Sequence, residues 1–189
     1  MMHKQVQVRV AGFGGQGVMM FGQILSYSAT IDGLNTLWFP SYGPETRGGT
    51  ANCSVIVSKD DIGSPVFQKA NHLIAFNSPS LDKFRDKIAS DGIVLYNASL
   101  IKQKQTQDDV IMIGVPVNDI AARLGNERVA NMVMLGAYLA LTHLFNQHTI
   151  ETALKKFLGN RKSHMLDINL EAIEQGRQFI DEIGVVHAS

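Results

Sequence analysis

The chain has 189 residues, enough to bury a core of its own without disulfide or metal staples. Apolar residues make up 45% and charged residues 18%, which excludes an intrinsically disordered chain and suits a globular α/β domain. Lys plus Arg and Asp plus Glu balance at 17 each, so the chain lacks the cationic excess that a broad nucleic-acid or membrane-surface footprint needs, and neither partner is expected.

The alternating run Val6-Gln7-Val8-Arg9-Val10-Ala11 predicts a first strand. It breaks into Gly12-Phe13-Gly14-Gly15-Gln16-Gly17, and Val18 to Ile31 then carries Met20, Ile24, Leu25 and Ala29 on a helical face until Asp32-Gly33 stops it. A strand ending in Gly12-x-Gly14-x-x-Gly17 and opening a helix brings backbone N–H groups and the positive end of the helix dipole to an anionic ligand. A tight strand-to-helix turn in any α/β domain asks for glycine as well, so the pattern alone leaves both readings open. Asn35 to Phe39 predicts a second strand, cut by Pro40, and Ala51 to Ser58 a third. Only a loop joins these two, so they are expected to pair antiparallel. That loop, Ser41-Tyr42-Gly43-Pro44-Glu45-Thr46-Arg47-Gly48-Gly49-Thr50, would bring a second glycine-rich segment to the same carboxyl edge of the sheet as the first.

Further strands are expected at His72 to Phe76, Gly92 to Tyr96 and Val110 to Val115, the first two flanking a helix that starts after Ser78-Pro79. Lys102 to Asp109 is polar and reads as a solvated connector. A helix runs from Pro116-Val117-Asn118-Asp119 through Arg123 and ends at Gly125. Beyond Glu127 the pattern is helical: Val129 to Phe145, Thr149 to Leu158 with a capped start at Thr149, Glu151 and Thr152, and Asp167 to Ile183. Val129 to Phe145 is the most apolar stretch, but it is too short for a membrane span and carries Asn131, Thr142 and His143. Such a helix is either the buried helix of the domain or packed against another subunit, with Gly136 permitting close approach, and the second case would make the isolated chain self-associate, as a homodimer. The elements describe an α/β chain: a Rossmann-like three-layer domain with a mostly parallel sheet and a helical C-terminal part, a single domain over residues 1–189.

A nicotinamide dinucleotide is the first ligand that the glycine pattern suggests, yet the acid expected near the end of the second strand is missing, since the region reads Leu37-Trp38-Phe39-Pro40-Ser41. The Gly-Lys-Ser/Thr of a P-loop is missing too. Arg47, between Gly43 and Gly48-Gly49, suits a pyrophosphate or carboxylate held bidentately, or an ion pair with Glu45 or a partner's carboxylate. His3, His72, His143, His148, His164 and His187 show no metal-ligand spacing, and neither a metal site nor a catalytic side chain is expected. Cys53, the only cysteine, lies in a strand and reads as a small buried residue; one thiol builds neither a disulfide nor an iron–sulfur cluster. Met1-Met2-His3-Lys4 leads straight into a strand with no secretory leader, so the expected compartment is the cytoplasm.

The two loops at this spacing, AGFGGQGV and then SYGPETRGG before a strand, resemble the gamma subunit, or matching catalytic domain, of 2-oxoacid:ferredoxin oxidoreductases. Asn131-Met132-Val133-Met134-Leu135-Gly136-Ala137 is similar to that family's buried-helix motif, and Gly159-Asn160-Arg161-Lys162 with Asn169 to Gly176 to its C-terminal segment, so the resemblance runs from Val6 to Gly176. It implies one component of an enzyme that oxidatively decarboxylates a 2-oxoacid to its acyl-CoA and passes electrons to ferredoxin or a flavodoxin. Thiamine diphosphate with its Mg, and the iron–sulfur clusters, would then reside on thiamine-binding, alpha and ferredoxin-like partner subunits, because the thiamine signature is missing here, with only Ser90-Asp91-Gly92 near it. The resemblance assigns Gly14, Gly15, Gln16 and Gly17 to the phosphates of coenzyme A as co-substrate, and puts Tyr42, Glu45, Arg47 and Gly48 in the second contacting loop. Side-chain chemistry makes Arg47 the anion contact and leaves Glu45 to orient it or to face a partner. The 2-oxoacid is expected to be 2-oxoglutarate or a branched-chain acid; a stand-alone dinucleotide-binding oxidoreductase and a non-catalytic nucleotide-binding assembly domain are the alternatives.

Overall fold

The computed structural model describes residues 5–42, 50–102 and 104–184. Among them, six strands form one sheet: Gln5–Phe13 (β1), Asn35–Tyr42 (β2), Thr50–Ser58 (β3), Ala70–Ala75 (β4), Ile88–Asn97 (β5) and Val110–Val115 (β6), in the spatial order β2-β3-β1-β4-β5-β6. β1, β4, β5 and β6 pair in parallel, while β3 runs antiparallel to both β1 and β2. The sheet is therefore mostly parallel with β3 reversed, and the loop-joined pair β2–β3 is antiparallel as its short connection requires. Pro40 does not cut β2 as its sequence suggests: the strand continues to Tyr42, with Pro40 opposite Cys53. β2 is the outermost strand, where alternate N–H groups point away from the sheet, so a missing donor is tolerated. β5 also starts earlier than its apolar run, at Ile88, through an irregular register with β4 that includes Asp91 at φ 63°.

Period-two alternation in β1 divides the core. Val8 and Val10 pack with the helices Val18–Ile31 (α1), Val117–Arg123 (α3), Ala130–Thr142 (α4), Gln147–Leu158 (α5) and Leu166–Ile183 (α6), whereas Ala11 faces Leu81 and Phe84 of Ser78–Phe84 (α2). Among the described residues, helices thus cover both faces, five on one side and the short α2 on the other. Of these, α4 is the deepest: every residue from Asn131 to Leu141 is buried within the chain. It is the buried helix of the domain, so it does not provide the face for self-association. None of the described helices is long and apolar enough to cross a membrane.

Two glycines allow α4 to sink so far. A Cβ on Gly136 would run into the Ile173 carbonyl of α6, and one on Gly176 into the Val133 carbonyl of α4, so the antiparallel helices meet backbone to backbone. The start of α5 lies a turn before the expected cap: Asn146 Oδ1 accepts the Thr149 N–H at 2.9 Å. Thr149 Oγ1 instead donates to Asp32 Oδ1 at 2.6 Å, tying the first turn of α5 to the end of α1. Cys53 is fully buried, its thiol donating to the Val18 carbonyl at 3.6 Å, and burial pushes its pKa up to about 12.

Gly136→Ala and Gly176→Ala are each expected to destabilise the chain by about 1–3 kcal/mol or more, as overpacking does. Gly63→Ala, at a position with open space, should cost nothing or add about 0.4–1 kcal/mol. Urea denaturation of the three variants checks this, and equal midpoints would contradict the helix contact. Cys53 should resist iodoacetamide at about pH 8 in the folded chain and react once the chain is unfolded; stoichiometric labelling of the native form would contradict its burial.

Candidate functional site

α1 leaves β1 toward one face of the sheet and α2 leaves β4 toward the other, so a crevice opens between the carboxyl ends of these two neighbouring strands. In an open α/β sheet this reversal of direction is where ligands bind. The loop Gly12 to Gly17 forms one wall. Its last residue, Gly17, is the N-cap of α1 at φ 77° and has no side chain with which to cap the first turn. The leading N–H groups of α1, with its positive dipole end, therefore face the crevice with no side-chain acceptor among the described residues.

The four glycines of the pattern have different physical reasons. Gly12 is buried, and a Cβ there would lie 2.8 Å from Gln16 Oε1, 2.9 Å from Val18 and 3.0 Å from Phe76, so it is glycine for packing. Gly17 combines positive φ with contact against Asn131, whose Nδ2 donates to the Gly17 carbonyl at 3.4 Å. Gly15 is exposed at φ 90°, a conformation that disfavours any other residue. Gly14 is exposed, has no positive φ, and meets none of the described residues within 4 Å of a built Cβ. Nothing in the described fold requires glycine at that position.

Gln16 turns its side chain into the loop. Its Oε1 accepts the Phe13 N–H at 2.7 Å and Asn77 Nδ2 at 2.8 Å, while its Nε2 donates to the Phe76 carbonyl at 3.5 Å. A chain of amides continues along the sheet edge: Asn97 Nδ2 donates to the Phe76 carbonyl at 3.2 Å and to Asn118 Oδ1 at 2.7 Å. Asn97 Oδ1 accepts the Ser99 N–H at 3.1 Å, and Ser99 Oγ accepts the Asp119 N–H at 3.1 Å. Sequence reasoning did not single out Asn77, Asn97, Asn118 or Ser99. One signal was available: each of Asn77, Asn97 and Asn118 follows the apolar run of a parallel strand by no more than a few residues, where a polar residue reaches the carboxyl edge.

Of the second loop, Ser41, Tyr42 and Thr50 are among the described residues. β2 ends at Tyr42 and β3 begins at Thr50, which pairs with Phe13 at the start of the first loop, so both loops leave the sheet at one edge. Glu45, Arg47 and Gly48 lie outside the described residues. A dinucleotide would meet a different arrangement from the one its fingerprint implies, because β3 stands between β1 and β2 and moves the end of β2 two strand spacings, about 10 Å, from the glycine loop. Ser90-Asp91-Gly92 sits where β5 begins, at the edge opposite the crevice. His72 on β4 is hydrogen-bonded through Nδ1 to the buried Tyr138 hydroxyl at 2.9 Å, whose pKa burial pushes up.

Comparison with known proteins agrees with this geometry. The model of the pyruvate ferredoxin/flavodoxin oxidoreductase family matches residues 7–179. Ketoisovalerate oxidoreductase subunit VorA of Methanothermobacter thermautotrophicus is 41% identical over 180 residues, which cover 94% of this chain and 37% of that one. This chain therefore spans little more than a third of that relative's length. 2-Oxoglutarate synthase subunit KorC of Methanocaldococcus jannaschii is 33% identical over 180 residues, covering 94% of this chain and 95% of the relative. Among solved structures, 2-oxoglutarate:ferredoxin oxidoreductase from Magnetococcus marinus with 2-oxoglutarate, coenzyme A and succinyl-CoA bound superposes with a TM-score of 0.88 at 24% identity, over 98% of this chain and 32% of that one, a likeness of fold. The matching model and the near full-length likeness to KorC together show that the chain belongs to the pyruvate ferredoxin/flavodoxin oxidoreductase family.

Proposed function

We propose that the chain acts as the gamma-type subunit of a 2-oxoacid:ferredoxin oxidoreductase and helps to hold coenzyme A, the co-substrate that receives the acyl group. The observation that carries this reading is Gly14. It is a glycine for which the described residues give no internal reason, at the exposed tip of a loop that opens α1. The lack of a side chain there lets a ligand's phosphates come within hydrogen-bonding distance of the backbone. Gly15 extends the same surface, and Gly17 directs the loop into the helix. We assign Arg47, by its side-chain chemistry, as a bidentate cation for the same anion, and Tyr42, Glu45 and Gly48 of the same segment as further contacts. The relative from Magnetococcus marinus, whose structure holds coenzyme A and succinyl-CoA, contains this fold, which supports the choice of ligand.

Thiamine diphosphate with Mg, and iron–sulfur clusters, supply carbanion stabilisation and electron transfer in such an enzyme. The residues of this chain do not fit a cluster, since its single cysteine is buried with a raised pKa. With the thiamine signature missing from the sequence as well, we assign these groups to thiamine-binding, alpha and ferredoxin-like subunits, with ferredoxin taking the electrons. We place the assembly in the cytoplasm, where one buried free thiol suits a reducing compartment. For the 2-oxoacid, the higher identity to the ketoisovalerate subunit than to the 2-oxoglutarate subunit favours a branched-chain substrate.

Two variants in the assembled enzyme test the coenzyme A site. Gly14→Ala should fold with parental stability yet raise the KM for coenzyme A about tenfold, equivalent to about 1.4 kcal/mol of lost binding. Arg47→Ala should weaken coenzyme A by about 1.5–3 kcal/mol, the cost of one charged hydrogen bond. Steady-state kinetics with varied coenzyme A checks both, and unchanged saturation in both would remove the assignment. In the same assay ketoisovalerate should outperform 2-oxoglutarate, and the purified chain alone should turn over neither. Steady NAD reduction by the isolated chain would favour the dinucleotide alternative.

A further inference from the structure

We infer that Asn77 is a positioning residue for the ligand loop and acts through Gln16. The inference rests on the coenzyme A reading for its functional consequence, and on hydrogen-bond geometry for the device itself. Asn77 is 3% exposed and sits at the end of β4, directly across the crevice from the glycine loop. Both ends of its side chain are engaged. Oδ1 accepts the Ser80 N–H at 2.9 Å and caps α2, which leaves Nδ2 to face the crevice, where it donates to Gln16 Oε1 at 2.8 Å.

That assignment propagates. With the Asn77 amide fixed by the cap, Gln16 presents its carbonyl to Asn77, and the same oxygen accepts the Phe13 N–H at 2.7 Å. Its amide nitrogen then points at the Phe76 carbonyl, which also receives Asn97 Nδ2. Each group in the series is oriented by the one before it, from the helix cap to Phe13, where the turn begins. The turn Phe13 to Gln16 is closed on one side by its own backbone bond, Gln16 N–H to the Phe13 carbonyl at 3.2 Å, and on the other by the Gln16 side chain. Gly14 and Gly15 have no side chains to hold them, so this closure sets where their N–H groups point. A loop of glycines would otherwise sample many conformations and lose affinity in being ordered by the ligand.

Asn77→Asp tests the device. The carboxylate keeps an acceptor for the Ser80 N–H, so α2 stays capped, but it turns an oxygen toward Gln16 Oε1 where a donor stood. Gln16→Met removes the loop's side-chain bonds at nearly constant size. In the full chain, each variant should speed amide exchange of Phe13 and Gln16, whose N–H groups are bonded within the turn, about tenfold while exchange across α2 stays at the parental rate. In the assembled enzyme each should raise the KM for coenzyme A about fivefold with a smaller effect on kcat, and leave the KM for the 2-oxoacid unchanged. Because Asn77 acts through Gln16, the double variant should be no worse than Gln16→Met alone. Unchanged exchange in the loop, or effects that multiply in the double variant, would overturn the positioning role. Faster loop exchange without any change in coenzyme A saturation would uphold the clamp and overturn the coenzyme A reading.

Discussion

One oxygen atom, Oε1 of Gln16, takes a donor from each wall of the crevice: the Phe13 amide at 2.7 Å on the β1 side and Asn77 at 2.8 Å on the β4 side. The candidate site depends on that double acceptance. It joins the two strands at the place where their helices diverge to opposite faces of the sheet, and it closes the turn whose tip is Gly14-Gly15. An open α/β sheet provides such a crevice through topology alone. Among the described residues, neutral amides along it satisfy one another, and the loop and the first turn of α1 present their backbone partial charges to it.

The helical layer supports the same loop from below. Asn131, at the start of α4, donates to the Gly17 carbonyl, and α4 holds that position because it is buried along its length. Its burial depends in turn on the backbone contact at Gly136 and Gly176, where a single methyl group has no room. Loop, α4 and α6 are thus one packed unit.

Much of this architecture was legible in the sequence. The alternation in Val6 to Ala11, the short connection between β2 and β3, and the continuous apolar face of α4 each report a physical requirement of burial that the structure meets. The end of β2 was harder, because Pro40 signals a break unless its strand is known to lie at an edge, and edges are set by the order of strands rather than by local sequence. The cap of α5 was displaced for a similar reason: both Asn146 and Thr149 suit a cap, and only tertiary packing sends the Thr149 hydroxyl to Asp32. At the site, the glycine spacing located the loop. The sequence could not separate glycines that serve packing, Gly12 and Gly17, from Gly14, which does not, since that distinction lies in what a Cβ would touch. Nor could it find Asn77, 61 residues from Gln16, because their contact exists only once β1 and β4 are neighbours.

The central claim is that the exposed glycine amides at this crevice hold the phosphates of coenzyme A. The most direct measurement is a structure of the assembled enzyme with coenzyme A bound. The account predicts phosphate oxygens about 2.7–3.2 Å from the amide nitrogens of Gly14 or Gly15, the range of a hydrogen bond, with the Arg47 guanidinium on the same anion. Coenzyme A bound elsewhere in the complex, with the Gly12 to Gly17 loop facing solvent or a partner subunit, would contradict it.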